Sequence, residues 1–179
     1  HYASWSGLAH AHRDVTGAYS YEQLALMCKQ LGLGQNELTE LFRRTVFNIV
    51  SVNQDDHCKN FGFLMSKQGK WQMSPAFDLT YAYDPTGRWT KTHQLTLNKK
   101  QSNFEQSDLI KFGQYCNLTR LQSKHIIEQC CDVISTFAHR AKDFDIDVSL
   151  VNTIEGNLRV NLNQDTTSDK SRGASPRKV

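Results

Sequence analysis

Asn53-Gln54-Asp55-Asp56-His57-Cys58-Lys59-Asn60, running into Phe61-Gly62-Phe63-Leu64-Met65-Ser66, is the stretch on which the fold turns. Its first eight residues gather two carboxylates, an imidazole, an ammonium and side-chain amides. An apolar helical pattern precedes it and an apolar strand pattern follows it. Polar groups set between buried elements need partners. A surface turn finds them in water, and a site finds them in a ligand or a metal ion.

Downstream, Lys67-Gln68-Gly69-Lys70 reads as a turn and Trp71-Gln72-Met73 as the returning strand, which makes a β-hairpin of 61–73. Ser74-Pro75 ends it, because proline cannot continue a central strand. Ser74-Pro75-Ala76-Phe77-Asp78-Leu79 then sets one carboxylate in a small, apolar context. Alone, Asp78 could simply hold a tight bend. The spacing gives it more weight. Phosphoryl transfer needs a carboxylate to orient or accept the proton of an attacking hydroxyl, and hard oxygen ligands for magnesium on the nucleotide phosphates. Protein kinases supply an Asp, an Asn five residues on, a short hairpin and a second Asp. Here Asn60 follows Asp55 by five residues, the hairpin follows, and Asp78 comes eighteen residues after Asn60. A hairpin returns the chain, so Asn60 and Asp78 can face one cleft.

Outward from this centre the pattern is helical. Ser20 and Gln23 form a capping-box pair that opens a helix near 21–31. Asn36 is placed to cap a second, over 37–52, whose buried stripe is Leu38, Leu41, Phe42, Thr45, Val46, Ile49 and Val50, with Glu40, Arg43 and Arg44 opposite. Ser107-Asp108 opens a helix to about Cys116. Thr119 or Ser123 opens a long one with Ile126, Ile127, Cys130, Val133, Ile134 and Phe137 as its stripe, and a last helix covers 146–160. Residues 1–19 read as loop, and 84–103 as ordered loop with a brief strand at 93–97. From Asn163 the composition is that of disorder. One domain over 1–162 and a tail over 163–179 are expected. The fold class is mainly α (α+β), with a single short hairpin.

The centre resembles known families. Asp55-x-His57-x-x-Asn60 is similar to the D-x-H-x-x-N loop of phosphoinositide-type kinases. More closely, N-x-D-D-H-x-K-N-x-x-F-L followed by W-x-M-S-P-A-F-D-L resembles the HipA family of bacterial serine/threonine kinase toxins. His93-Gln94-Leu95-Thr96-Leu97-Asn98-Lys99-Lys100, with Asn103-Phe104 and Asp108-Leu109, resembles that family's C-terminal lobe. The resemblance runs over roughly 20–142 and is densest from Asp55 to Leu79. It implies a kinase-like C-terminal lobe with ATP and Mg²⁺ as cofactors. Asp55 matches the catalytic aspartate, and Asn60 and Asp78 the magnesium ligands. His57 and Lys59 match loop positions that contact phosphate or hold the loop, and Phe77 an aromatic beside the nucleotide. It further implies a cytoplasmic toxin, a protein substrate such as an aminoacyl-tRNA synthetase, and a HipB-like helix-turn-helix antitoxin through which DNA is met indirectly. Departures accompany it. Leu79 stands where ordinary protein kinases have Phe-Gly. No Gly-rich phosphate loop and no strand-borne Lys are found, so the N-terminal lobe that carries them, with the family's regulatory serine, is expected to lie outside this chain. The first residue, His1, also reads as that of a fragment, which by itself should be inactive and hold Mg-ATP poorly.

The bulk figures set limits on this. A net charge of +3 is too mild to argue for nucleic acid, and part of the excess lies at Lys170, Arg172, Arg177 and Lys178. No apolar run of about eighteen residues suggests a membrane span. The five cysteines are odd in number, contain no C-x-x-C pair, and fit a reducing cytoplasm, with Cys28, Cys116 and Cys130 as small core residues. Zinc is disfavoured because Asp55 to Cys58 are sequence neighbours, and such neighbours rarely converge on one ion. A Cys58–His57 nucleophile is disfavoured on the same grounds. The competing reading is a non-catalytic helical module that binds an antitoxin or DNA through Arg43-Arg44, Lys99-Lys100 and the tail.

Overall fold

A computed structural model describes residues 1–162. The expected disordered tail, 163–179, lies outside the described residues. The elements run β1 (Tyr2–Ser4), α1 (Trp5–Ala9), α2 (Tyr21–Gln30), α3 (Gln35–Val50), β2 (Gly62–Met65), β3 (Trp71–Met73), α4 (Gln106–Tyr115), α5 (Arg120–Ser135), α6 (Phe137–Ala141) and α7 (Val148–Asn157). A single 3₁₀ turn, Cys58–Asn60, stands between α3 and β2. No helix among the described residues is long and apolar enough to cross a membrane.

The hairpin forms as β2 and β3, with Phe63 opposite Met73 and Met65 opposite Trp71. It is not alone. β1 adds to the free edge of β2, antiparallel, with Tyr2 opposite Leu64 and Ser4 opposite Gly62. The segment expected to be loop therefore supplies a third strand and the short helix α1. Three residues are too few to show alternation, and pairing with a strand some sixty residues away creates β1. Gly62 is required there: a Cβ would lie 2.4 Å from the Tyr2 ring and 2.8 Å from Ser74 Oγ.

The helices pack as a layer around α3. Leu38, Leu41, Phe42, Val46 and Ile49 are buried against α5 and α4. Phe42 stacks on Phe112 of α4 at 6.1 Å, and Tyr21 of α2 meets Phe112 at 6.0 Å and Phe61 at 5.9 Å. Each such ring contributes roughly 1.5–3 kcal/mol of burial. α4 and α5 approach closely enough that a Cβ on Gly113 would sit 2.1 Å from Ser123 Oγ.

Helix starts were mostly readable. Ser20 caps α2 with the reciprocal Gln23 bond, and Thr119 caps α5 in the same way with Gln122. Two starts differ. α3 begins two residues earlier than an Asn36 cap allows, with Gly34 as a cap that offers no side chain. α4 begins at Gln106, because the Asp108 carboxylate accepts the Glu105 N–H at 3.0 Å. Val133 is exposed rather than part of the α5 stripe. Residues 93–97 form no strand, only isolated bridges, yet His93, Gln94, Leu95 and Leu97 are buried.

After α7 the chain turns back. Arg159 N–H donates to Val50 O at 2.9 Å, at the end of α3, and Asn157 Nδ2 donates to Tyr81 OH at 3.0 Å. The last described segment thus fastens both α3 and the stretch that follows Asp78.

Candidate active site

The site starts from how α3 ends. Asn53 N–H donates back to Asn48 O at 2.8 Å, and Val52 between them adopts φ +57°. This is a helix stop of the kind usually made with glycine. For a β-branched residue the left-handed conformation costs about 1–2 kcal/mol. Val52 is almost wholly buried, so packing holds it in place. From there the chain is laid beside the segment after Asp78: Ala82 N–H donates to Val52 O at 3.2 Å and Gln54 N–H to Ala82 O at 3.1 Å. Two loops far apart in sequence are thereby joined.

Amides finish the join. Asn53 Nδ2 donates to Asn48 Oδ1 at 3.0 Å and to Asp78 O at 3.2 Å. Asn60 Nδ2 donates to Asp55 O at 2.8 Å, which leaves its Oδ1 as the atom offered outward. Asn53, Asn60, Phe77 and Asp78 line one small hollow together with Arg44 and Asn48. Its volume, about 10 Å³, suits a single water or small cation. Asn53 Oδ1 is buried and without a partner among the described residues. Asp78 is exposed and held at φ +55°, a conformation aspartate tolerates better than most residues. The hairpin thus brings Asn60 and Asp78 to one cleft. Arg44 Nη2 steadies the strand that leads to Asp78 by donating to Ser74 O at 2.9 Å.

Asp55 stands beside this hollow without lining it. Its side chain is 37% exposed, and its Oδ1 lies 3.8 Å from His57 Nε2. His57 Nδ1 accepts the Lys59 N–H at 3.3 Å, so the proton of a neutral ring sits on Nε2 and faces Asp55. At that separation His57 and Asp55 are neighbours without a hydrogen bond between them. Lys59 goes elsewhere. It is exposed and lines a separate groove with His10, His12 and Arg13. Phe77 is at the hollow and 38% exposed.

The residue sequence reasoning missed is Asp56. Its buried carboxylate accepts Tyr21 OH at 2.5 Å, His93 Nδ1–H at 2.8 Å, and the backbone N–H groups of Gln94 at 2.7 Å and Leu95 at 3.4 Å. Tyr21 in turn accepts from Asn48 Nδ2 at 3.2 Å. Burial, then the Asp56 charge, pushes the Tyr21 hydroxyl well above its ordinary value. This network carries the 93–95 loop and α2 onto the catalytic-type loop. Asp56 also borders the hollow that Asn60 and Asp78 line, and nothing local in the sequence says that it, rather than Asp55, turns inward. A polar Asn48 within the buried stripe of α3 was the available signal.

Cys58 is buried, its thiol raised chiefly by desolvation, and its Sγ points to Ala11 O at 3.7 Å. It is poorly placed as a nucleophile. The basic residues of the module reading are partly spent inside the fold: Arg44 on Glu40 and Ser74, Arg43 on Gln129, Lys100 on Asp108.

A model of the HipA-like C-terminal domain family matches residues 1–138. The chain belongs to that family. The HipA-like match covers every residue of the hollow and stops before α7. A solved complex of the Shewanella oneidensis MR-1 toxin–antitoxin system, containing HipA, HipB and operator DNA, includes a chain of similar fold. The TM-score is 0.65 at 15% identity, over 86% of this chain and 38% of that one. At that identity the likeness is one of fold, and this chain spans little more than a third of the other's length. A search of curated proteins gives no match. A helix-rich body with a small three-stranded sheet is what the family membership leads one to find.

Proposed function

We propose that this HipA-like domain carries the catalytic and metal-holding half of an ATP- and Mg²⁺-dependent serine/threonine protein kinase, and that the protein is the toxin of a toxin–antitoxin pair. The observation that carries the reading is the shared hollow: Asn60 and Asp78 line it, and Asn60 is pinned through its amide to Asp55 O. The donor set suits magnesium. Asn60, Asp78 and Asn53, whose Oδ1 is orphaned, line a space of ionic size and can each offer a hard oxygen. Asn60 and Asp78 would hold the ion, with nucleotide phosphates and water completing its shell. When bound, Mg²⁺ with ATP supplies charge neutralisation on the transferred phosphoryl group.

The chain's own residues do the rest. Asp55, partly exposed and next to the His57 ring, accepts the proton of a serine or threonine hydroxyl or fixes its direction. Phe77 offers an apolar face at the rim for the nucleotide. The toxin–antitoxin assignment rests on family membership and on the fold shared with a chain of the HipA–HipB–DNA complex. An antitoxin of helix-turn-helix type is the expected partner, and DNA is reached through it. An aminoacyl-tRNA synthetase is one class of substrate to try first.

The test uses the intact gene product. Asp55→Asn abolishes phosphate transfer from labelled ATP while leaving the thermal transition within about 2 °C, since Asp55 is half exposed. Transfer at the wild-type rate by that variant ends the assignment of Asp55.

A further inference from the structure

Lys59 was expected at the nucleotide, and its position outside the Asn60–Asp78 hollow needs another explanation. It lines a groove of about 330 Å³ with Ser6, His10, His12 and Arg13. Asp14 is the one acidic residue there. Among the described residues, no ion pair engages the side chains of Arg13 or Lys59. The groove is joined to the catalytic-type loop. Cys58, next to Lys59, is buried against Ala11 through Sγ, and Ser6 Oγ closes the same turn by donating to Ala11 O at 2.6 Å. Arg13 and Lys59 both lie near enough to Cys58 to act on its thiol electrostatically.

We infer that this groove binds an acidic segment of the protein acceptor, with glutamate or aspartate carboxylates held by Arg13 and Lys59. The inference rests on the kinase reading for its meaning but not for its measurement. Arg13 offers a planar fork suited to a carboxylate, and Lys59 a point charge. No Phe, Tyr or Trp lines the groove, so apart from the small His10 and His12 rings it lacks the stacking platform a single-stranded nucleic acid uses. The distance also fits. Lys59 is four residues from Asp55, so their backbones lie at most about 14 Å apart. An extended peptide covers that span in about four residues. Allowing for side-chain reach, the acidic residue therefore lies within roughly six positions of the phosphorylated hydroxyl.

The test is direct binding of a fluorescein-labelled peptide, one serine flanked by glutamates, to this 179-residue chain at low salt. The controls are the same peptide with Gln for Glu, a phosphoserine peptide without acidic residues, and a single-stranded oligonucleotide. The glutamate peptide should bind best, and Arg13→Glu should weaken it at least about tenfold, or about 1.4 kcal/mol. Lys70→Glu, on the exposed hairpin turn, should change it less than about twofold. Arg13→Gln gives an intermediate loss and carries the comparison if the reversed charge disturbs folding. In the intact gene product, Arg13→Glu raises KM for the glutamate peptide with kcat preserved. Undiminished binding by both Arg13 variants overturns the inference, as does preferential binding of the oligonucleotide or the phosphoserine peptide. Loss of binding on Arg13→Glu combined with no phosphate transfer from labelled ATP by the wild-type intact gene product would leave the groove standing and remove the kinase reading instead.

Discussion

Asp55 and Asp56 are neighbours in sequence, and their replacement by alanine should have opposite consequences. Asp56→Ala strips the acceptor from three well-formed buried bonds, those of Tyr21 OH, His93 Nδ1–H and Gln94 N–H. Each buried donor left unsatisfied costs roughly 1–3 kcal/mol. The sum is about 3–9 kcal/mol. Because water can enter the space vacated by the carboxylate, the lower half of that range applies, and about 4 kcal/mol is expected. Asp56→Asn keeps an oxygen for the backbone donors but loses the charge, so about 2 kcal/mol is expected. For a domain of this size each kcal/mol moves the Tm by about 2–4 °C. Asp56→Ala should therefore melt about 8–16 °C below the wild type and Asp56→Asn about 4–8 °C below. Asp55→Ala, half exposed, should stay within about 2 °C. Circular dichroism melts, with urea titrations to confirm that m is unchanged, measure all three. An Asp55→Ala loss equal to that of Asp56→Ala would falsify the argument, because it would mean that the buried network does not anchor the loop.

Two further outcomes can be stated. Asp78→Asn should leave the melt near the wild type, since asparagine accepts φ +55°, while removing magnesium-dependent transfer; Asp78→Val should cost an additional 1–2 kcal/mol, roughly, for the same backbone, visible as a lower Tm. Alkaline pH should destabilise the fold: burial pushes the Cys28 and Cys116 thiols up to about 12, so above about pH 8.5 the unfolded chain sheds protons that the folded chain retains. Stability is then whole below that pH and is lost progressively toward pH 12, with Tyr21 adding to the loss above about pH 10; Tm against pH should fall over this window, and less steeply in Cys116→Ala.

Much of the architecture could be read locally. The Ser20–Gln23 and Thr119–Gln122 boxes, the α3 stripe and the hairpin each carry their own signal within a few residues. The Asn60–Asp78 spacing foretold that these two side chains line one hollow, because a hairpin is the shortest way to return a chain to its start. What could not be read depends on pairing at long range. β1 exists only against β2, and the 93–95 loop is buried only because Asp56 accepts its backbone N–H groups. Lys59 looked like a nucleotide contact because sequence distance says nothing about which side of a 3₁₀ turn a side chain leaves from. Arg44 looked solvated because its helical face was judged by its neighbours, whereas the Ser74 carbonyl draws it inward.

The turn-back after α7 bears on the order in which the molecule is made. A chain synthesised from its N-terminus delivers Asp55, Asn60 and Asp78 long before residues 157–159. Residues 157–159 tie Asn157 to Tyr81 and Arg159 to Val50, one contact on the segment after Asp78 and one at the end of α3. A nascent chain that has emerged to residue 138 holds everything the family match covers, yet neither of these ties. The end of α3 and the segment after Asp78 thus gain these two ties only once residues 157–159 have emerged.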